Sequence, residues 1–567
     1  MTISTTLRSY GTLLDALAAA PPTKPFATIW DPRGDPQHVT VSFGEFHDLA
    51  AAYAGRYRAR GLRPGDTIVL IVPQSLTLLA AFVGALVVGG IPTILAYPTF
   101  KTDPEKYRHG LSGVTRNLKA RFIVLGETFP RELEAEIAGV ETVRLGATQP
   151  PESSDTVWAA PRPDDVAFIQ HSAGTTGLQK GVALSHRSVL NQLVGLCEVL
   201  DIVETDRIVS WLPLYHDMGL IACLILPLVA HLHVVMESPT DWVMWPGSLW
   251  RLATELRCTL CWLPNFAFQF LARRVPAEER RGFDLSTMRA VVNCSEPIRT
   301  ESIEEFARVY ALCGLDRDTL RSSYAMAENT FAVTQSRTLL TTITVNGKAL
   351  IDHGRIFPVT ADHPSARRLT SSGRPLPENH LRVLDELGND VPDGMVGEVV
   401  IRSNSLFGEY YRRPDLTAKV LRDGWYWTGD VGVRWEHEVY VLGRKDDVII
   451  VGGRNLHPQD LESAVAENPD VHDGRVVAFG LFNREQGTQD VVIVAEVDSD
   501  IGVSRQAEIQ ADIRRRVLDE VGVPARLVYL VPPKWIVKST AGKPARSTTR
   551  RKLLELHPDL PLSKGAQ

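Results

Sequence analysis

Between Val166 and Arg187 the chain reads VAFIQHSAGTTGLQKGVALSHR, an apolar run that stops at small and hydroxyl residues and then a lysine. Ser172, Ala173, Gly174, Thr175, Thr176 and Gly177, followed by Lys180 and Gly181, have the chemistry of a phosphate-holding loop. Glycines let successive backbone N–H groups curl around an anion, hydroxyls add donors, and an ammonium sets positive charge beside phosphate. The spacing is not that of the common nucleoside-triphosphatase loop GxxxxGK[ST], because two residues separate Gly177 from Lys180. A flexible turn between two elements is the other use of such a composition. The CxxC at Cys258–Cys261 has no second ligand cluster beside it, so buried thiols are expected there rather than a metal.

The elements that must position this loop alternate. Thr40 to Tyr57 opens with a short alternating stretch and becomes helical, with Phe46, Leu49, Ala50, Tyr53 and Tyr57 at three- and four-residue spacings. Ile68 to Val72 is a continuous apolar run that suits a buried parallel strand. Strand, helix and strand recur to about residue 330, with Phe122 to Leu125 and the helix-like Arg131 to Ala138 as one such unit. Residues 145 to 165 read as a surface connection. Thr338 to Ser372 shows no clear period, and the short β-branched runs after it predict a β-rich subdomain over about 373–445. From Asp447 onward the pattern is that of a compact α+β unit, with helices over Asp460 to Ala466 and Gln506 to Glu520. The fold class is therefore α/β: a large N-terminal domain, 1–445, of mostly parallel sheets covered by helices plus the β-rich subdomain, and a small mobile α+β C-terminal domain, 446–567.

The loop SAGTTGLQKGV resembles the phosphate-binding signature of the acyl-adenylate-forming superfamily, and further segments match in the same order. The resemblance implies that Ser172, Gly174, Thr175, Thr176, Gly177 and Lys180 hold the β- and γ-phosphates of ATP. Ala173 and Gln179 depart mildly from the pattern, and Gln179 leaves the loop less stiff than a proline would. LPLYHDMGL, Leu212 to Leu220, is similar to the segment lining the acyl and phosphate side of the site, so His216 is implied to face the carboxylate. A turn-fixing hydrogen bond to Asp217 is the other use of that ring. VVNCSEPI and YAMAEN resemble the segments around adenine, implying that Ser295, Glu296, Pro297, Tyr324, Ala325 and Met326 bind nucleotide and that Glu328 helps hold Mg²⁺. WYWTGDVG places Asp430 at the ribose-binding aspartate, whose carboxylate accepts two hydroxyl hydrogen bonds. GRKDDVIIVGGRN matches the joint between domains, with Arg444 contacting nucleotide and Asp446 as the hinge. KSTAGKPAR places Lys543 as the catalytic lysine that bridges carboxylate and α-phosphate.

Three segments look more like standalone fatty acyl-AMP ligases than acyl-CoA synthetases: YHDMGL, PNFAFQFLARR and GGRNLHPQDLE. The long interval between Glu328 and SSGRPLP matches an insertion that in that group packs between the domains and disfavours the use of CoA. The resemblance thus implies activation of a carboxylic acid, a fatty acid above all, by ATP and Mg²⁺, then transfer to an acyl carrier protein, with CoA as the alternative acceptor. Phe266, Phe268, Phe270 and Leu220 to Leu228 are candidates for an apolar acyl pocket. Trp242, Trp245, Trp250 and Trp262 are dense enough that any facing the pocket would shorten it.

Composition excludes other classes. A net charge of -6 over 567 residues gives no field that calls for nucleic acid. Six cysteines are too sparse for a disulfide framework, and a cytoplasmic protein is the expectation. Leu76 to Tyr97 is uncharged and long enough to span a bilayer, but Gly84, Gly89, Gly90 and Pro92 favour a packed helix leading into a strand, so no membrane span is expected.

Overall fold

The computed structural model describes residues 2–98, 104–134, 140–145, 157–171, 180–452, 454–483, 486–538 and 544–557. The candidate residues Ser172, Gly174, Thr175, Thr176, Gly177 and Lys543 lie outside them, as does part of the stretch Arg131 to Ala138, of which Arg131–Glu134 is helical.

Apolar runs bounded by turns become strands covered on both faces. Thr67–Ile71 and Phe122–Gly126 are buried at every position, because helices on both sides of a parallel sheet leave it no wet face. They lie between Ile91–Ile94 and Glu141–Leu145 in a four-stranded, all-parallel sheet. Leu76–Val88 is the helix that leads into Ile91–Ile94, and Gly89 ends it with a left-handed φ of 81°. Pro92 falls in an edge strand, the position where a missing N–H is tolerated. The helix packs along Phe43–Ala59: a Cβ on Gly84 would stand 2.7 Å from Tyr53 Cβ and 2.8 Å from the Ala50 carbonyl oxygen. Among the described residues no helix is long and apolar enough to cross a membrane.

A nine-stranded sheet forms the second layer, in the order Arg374–Pro375, Ala332–Gln335, Leu320–Ala325, Ala290–Asn293, Leu260–Leu263, Arg207–Ser210, His233–Met236, Pro25–Trp30 and His38–Ser42. Its six middle strands, Leu320–Ala325 through Pro25–Trp30, are parallel, and antiparallel strands close both edges. Val166–His171 and Gly181–Ser185 make an antiparallel pair that brackets the glycine-rich loop, and Glu409–Tyr410 adds a third strand.

The β-rich part is an antiparallel sheet of His380–Leu384, Val396–Arg402, Trp425–Trp435, Leu421–Arg422 and Glu438–Arg444. After it, Val476–Asn483, Thr488–Glu496 and Ala525–Val531 form a separate three-stranded sheet. Pro458–Ala466, Val503–Val521 and Arg546–Leu556 are its helices.

The stretch without a clear period also folds. Thr342–Asn346 pairs antiparallel with Ala366–Thr370, and the helix Gly347–His353 lies between them. That helix sends Ile351 into the core of the C-terminal part beside Ile449, Leu456 and Leu461. Arg367 pairs with Asp460, and Arg454 Nε meets Asp352 Oδ1 at 2.6 Å. On the other side Arg368 pairs with Glu304 at 2.7 Å and Glu301 at 3.2 Å, both on the helix Thr300–Tyr310 of the large α/β part. The segment is therefore a bridge with one apolar anchor and ion pairs to each side.

Gly84→Val is expected to lower the unfolding free energy by about 2 kcal/mol, read as a drop in melting temperature, because it overpacks a contact already at the glycine limit.

Candidate active site

In open α/β sheets ligands settle outside the carboxyl ends of the parallel strands. Three of the segments singled out from sequence lie there: Cys294–Pro297 after Ala290–Asn293, Tyr324–Met326 at the end of Leu320–Ala325, and Leu212–Leu220 after Arg207–Ser210. The antiparallel sheet brings Asp430 and Arg444 to the same place.

Asp430 and Arg444 are cross-strand partners in register. Arg444 Nη1 lies 3.2 Å from Asp430 Oδ1, and the Tyr324 hydroxyl donates to Asp430 Oδ2. Asp430 N donates to Thr428 Oγ1 at 2.9 Å, and that hydroxyl donates to the Val399 carbonyl at 2.6 Å. Burial raises the pKa of the Asp430 carboxyl, while Arg444 and the Tyr324 hydrogen bond work against the rise. Tyr426, Thr428 and Asp430 alternate with more exposed neighbours and share one buried face of their strand. Tyr324 is thus tied to the carboxylate through its hydroxyl, with its ring left beside the strand ends.

Glu328 sits in a single 3₁₀ turn, Ala327–Asn329. Its Oε1 accepts from the Tyr410 hydroxyl at 2.7 Å, and Tyr410 is 3.4 Å, oxygen to oxygen, from Tyr426. The Lys180 ammonium stands 4.8 Å over the Tyr410 ring, a cation–π contact. The backbone reinforces the meeting: Tyr410 pairs with Val182, Tyr411 N donates to Gly181 O at 2.7 Å, and Phe407 N donates to Glu328 O at 2.8 Å. Lys180, Glu328, Asp430, Arg444 and Tyr324 are thereby gathered around Tyr410 and Tyr426. At the other end of the loop, His171 Nδ1 is 2.9 Å from Thr93 Oγ1, and burial pushes its pKa down to about 4, so the ring is neutral at pH 7.

His216 Nδ1 lies 2.6 Å from Asp217 Oδ1, and the same oxygen accepts from Met218 N at 2.8 Å. Asp217 therefore caps the π-helical segment Met218–Ile225 while orienting the histidine ring. A Cβ on Gly219 would stand 2.3 Å from Pro213 O, which explains the glycine in YHDMGL. Ser295 takes a left-handed φ of 68°, rare for a residue with a side chain, and its hydroxyl is 3.9 Å from Met218 Sδ. Glu296 Oε2 accepts from Phe266 N at 2.9 Å, a tie to the helix Asn265–Arg274, while Pro297 is exposed. Ala325 and Met326 close the strand, and Met326 N donates to Phe331 O at 2.9 Å.

The tryptophans divide. Trp250 packs in the core against Phe306 and Tyr310, Trp262 is fully buried, and Trp245 is exposed against Trp30. Trp242 instead stacks flat on Trp211 at the strand ends. Phe268 joins Phe306 in the core, whereas Phe266 and Phe270 border the stack. Beside them Glu237 is buried with its Oε2 accepting from Ser248, and burial, with Asp241 adding to it against Ser248 and Arg251, pushes its pKa up to about 8. All six cysteines are buried and none forms a disulfide. Among the described residues no group of three or more His, Cys, Asp or Glu is placed to hold a metal.

Asp446 lies exposed in the 3₁₀ turn Lys445–Asp447, between the last strand of the β-rich sheet and Ile449–Val451. Lys445 pairs with Glu398 at 2.7 Å on one side, and Asp447 pairs with Arg546 on the other. Sequence reading did not single out Tyr410, Tyr426 or Thr428. Nothing local marks Tyr410, whose role comes from a strand pairing more than 200 residues away in sequence.

Residues 14–411 match the model of the family described as AMP-binding enzyme. The long-chain-fatty-acid–AMP ligase FadD32 of Mycolicibacterium smegmatis is 30% identical over 572 residues, covering 89% of this chain and 88% of that protein. A protein named putative acyl-CoA synthetase from Caulobacter vibrioides is 29% identical over 557 residues, covering 95% of each. Among solved structures, one from a study of fatty acyl-adenylate ligases from E. coli and L. pneumophila superposes with a TM-score of 0.89 at 26% identity, covering 97% of this chain and 99% of that one.

The Glu237 carboxyl, raised from its ordinary 4.5 to about 8, favours folding fully below pH 4.5, and that contribution is lost as pH rises through 8. Melting curves from pH 5 to 8.5 are expected to show the wild type losing stability relative to Glu237→Gln, by on the order of a few kcal/mol across the range.

Proposed function

We propose that this chain, which belongs to the AMP-binding enzyme family, joins a fatty acid to AMP and then passes the acyl group to the phosphopantetheine thiol of an acyl carrier protein. The observation that carries the first step is the buried Asp430 carboxylate, held by Tyr324 and Arg444 beside the Lys180–Tyr410–Glu328 cluster. One part of that arrangement suits a ribose diol, the other a polyphosphate. In the first half-reaction a carboxylate oxygen of the acid attacks the α-phosphorus, the bond from that phosphorus to the bridging oxygen breaks, and pyrophosphate leaves with the electron pair. In the second the thiol sulfur attacks the acyl carbon and AMP departs as the carbon–oxygen bond breaks.

The roles follow from charge and reach. Asp430 accepts from the ribose hydroxyls, as a charged acceptor does best. Arg444 neutralises Asp430 before substrate arrives and faces the nucleotide with its remaining donors. Lys180 and the backbone of residues 172–177 are assigned to the β- and γ-phosphates. His216, its Nδ1 engaged with Asp217, is assigned to the carboxylate side through its other ring nitrogen. Ser295, Glu296, Pro297, Ala325 and Met326 are assigned to the walls around the adenine. A single hard carboxylate, Glu328, alongside substrate phosphates is the kind of ligand set Mg²⁺ uses at nucleotide sites. Bound there, the ion would screen charge that builds up on the phosphates. Lys543 is assigned to the gap between carboxylate and α-phosphate, where an ammonium stabilises the developing negative charge. Division of the chain at 445/446, with turning at Asp446, lets the C-terminal part carry Lys543 in for the first step and out for the second.

The choice of carrier protein over CoA is supported by the bridge of residues 342–370. Ile351, Arg367 and Asp352 hold the C-terminal part, while Arg368 holds the large part, a hold that we assign to disfavouring the arrangement in which free CoA is used. The names of similar proteins divide over this second step, one an AMP ligase and one a putative CoA synthetase. Six buried cysteines without a disulfide support a reducing, cytoplasmic setting.

Purified protein given ATP, Mg²⁺ and fatty acids, with either CoA or a phosphopantetheinylated carrier protein, is expected to yield acyl-AMP and carrier thioester by mass spectrometry. Efficient acyl-CoA formation would overturn the choice of acceptor, and absence of acyl-AMP with every acid would overturn the reading as a whole. Lys543→Ala is expected to slow acyl-AMP formation by about 100-fold or more with little change in the KM for ATP. Weakening the bridge, in an Ile351→Ala and Arg367→Ala double variant, is expected to raise acyl-CoA formation several-fold while leaving the adenylation rate nearly unchanged, checked by the two assays side by side.

A further inference from the structure

The strands Leu260–Leu263 and Ala290–Asn293 are parallel, and Leu263 and Asn293 are partners in register, so the two segments that follow leave the sheet side by side. One passes through Pro264 into the helix Asn265–Arg274, and the other turns through residues 294–298 before the helix Thr300–Tyr310. Neither helix is capped by the side chain of its own N-cap residue, Pro264 or Arg299. The first backbone N–H groups of a helix have no partner within it, and here the neighbouring segment supplies partners.

Two adjacent residues, Asn265 and Phe266, hold the turn at three points. Asn265 Oδ1 accepts from Asn293 Nδ2 at 3.0 Å, just before the turn, and from Arg299 N at 3.1 Å, just after it. Between these, Phe266 N donates to Glu296 Oε2 at 2.9 Å. The other end of the Asn265 amide, Nδ2, donates to Ser302 Oγ at 3.3 Å in the first turn of the next helix. A backbone N–H can only donate, so Arg299 fixes which end of the Asn265 amide faces the turn, and Asn293 must then offer its nitrogen. Asn265, Asn293 and Ser302 are all buried, where hydrogen bonds compete little with water.

The turn itself is not relaxed. Ser295 takes its left-handed φ of 68°, and Asn293 Oδ1 is buried with no hydrogen-bond partner among the described residues. Both features are unfavourable and persist only where the surroundings over-determine them, as the Asn265 network does. They fall at the carboxyl end of a parallel strand, on and beside the residues assigned to the walls around the adenine.

We propose that Asn265 is a positioning residue for the nucleotide: its side chain presets the turn at residues 294–298 in the shape the base requires, and so sets the preference for adenine. The proposal rests on the reading of Ser295, Glu296 and Pro297 as adenine walls in an acid-adenylating ligase. Without the Asn265 amide the turn loses its anchors at Asn293 and Arg299 together and keeps only the Glu296 tie. The nucleotide must then order the turn as it binds, which weakens binding rather than the chemical step.

Initial rates of acyl-AMP formation with ATP and with GTP, taken with melting temperatures, separate this role from a general loss of stability. Asn265→Ala is expected to raise the KM for ATP by about 10-fold, to lower the ATP-to-GTP ratio of kcat/KM by about as much, and to leave kcat within about 3-fold. Asn265→Asp keeps an acceptor for both donors, lets the Ser302 hydroxyl turn to donate, and places a negative charge where a helix start favours it, so it is expected to recover most of both values. Asn265→Ser, too short to reach both donors, takes the place of Asn265→Ala if that variant does not fold. Trp250→Phe, a core change against Phe306 and Tyr310, is expected to keep the wild-type KM and ratio even at a lower melting temperature. A folded Asn265→Ala or Asn265→Ser with wild-type KM and ratio, a loss confined to kcat, or an Asn265→Asp no better than Asn265→Ala would each overturn the assignment. Failure of the wild type to form acyl-AMP with any acid would instead remove the adenylating reading on which it depends.

Discussion

Asp430 is a carboxylate taken out of water at a strand position where burial works against its charge, and much of the surrounding geometry serves to keep it there. Arg444 faces it across the hairpin and Tyr324 reaches it from the nine-stranded sheet. Removing one partner of such a buried pair leaves an uncompensated charge, so each partner constrains the other. Because Arg444 is the last residue of its strand and Lys445–Asp447 the turn that follows, the same pairing fixes where the C-terminal part begins. The proposed nucleotide site and the start of the part proposed to turn are therefore one mechanical unit.

A second knot lies at Tyr410. Its hydroxyl contacts the Glu328 carboxylate and approaches that of Tyr426, its ring receives the Lys180 ammonium, and its backbone adds a strand to the pair that flanks the glycine-rich loop. The carboxylate and the lysine of the proposed phosphate site are held by one side chain rather than by each other. An aromatic ring between opposite charges keeps both available to a ligand, whereas a direct ion pair would have to be broken first.

The bridge of residues 342–370 works through a different balance. One apolar side chain, Ile351, shares the C-terminal core; of the ion pairs, Arg367–Asp460 is largely buried while Arg454–Asp352 and Arg368–Glu304 are partly exposed. Exposed pairs contribute little alone, so the apolar contact and the buried pair, whose partners constrain each other, carry the hold. A contact of this size is compatible with the proposed domain turn, which it biases without forbidding.

Much of the fold was legible in sequence because its signals are local. The apolar run Ile68 to Val72 and the three- and four-residue spacings that became the helix Phe43–Ala59 each announce their own conformation. The spacing of glycines, hydroxyls and Lys180 likewise points to phosphate chemistry, because a loop that wraps an anion needs those residues in consecutive order. Other features depended on pairings distant in sequence. Thr338 to Ser372 showed no period since its strands are only half buried, and its partner cores lie on either side of it. Tyr410 carried no mark because its meaning depends on Val182 and Glu328. The four clustered tryptophans looked alike in sequence, yet only Trp242 stacks on Trp211, since helix phase and strand direction, not spacing, decide which ring faces which layer. Residue types and order determined the chemistry this chain offers; long-range packing alone decided which of those groups meet.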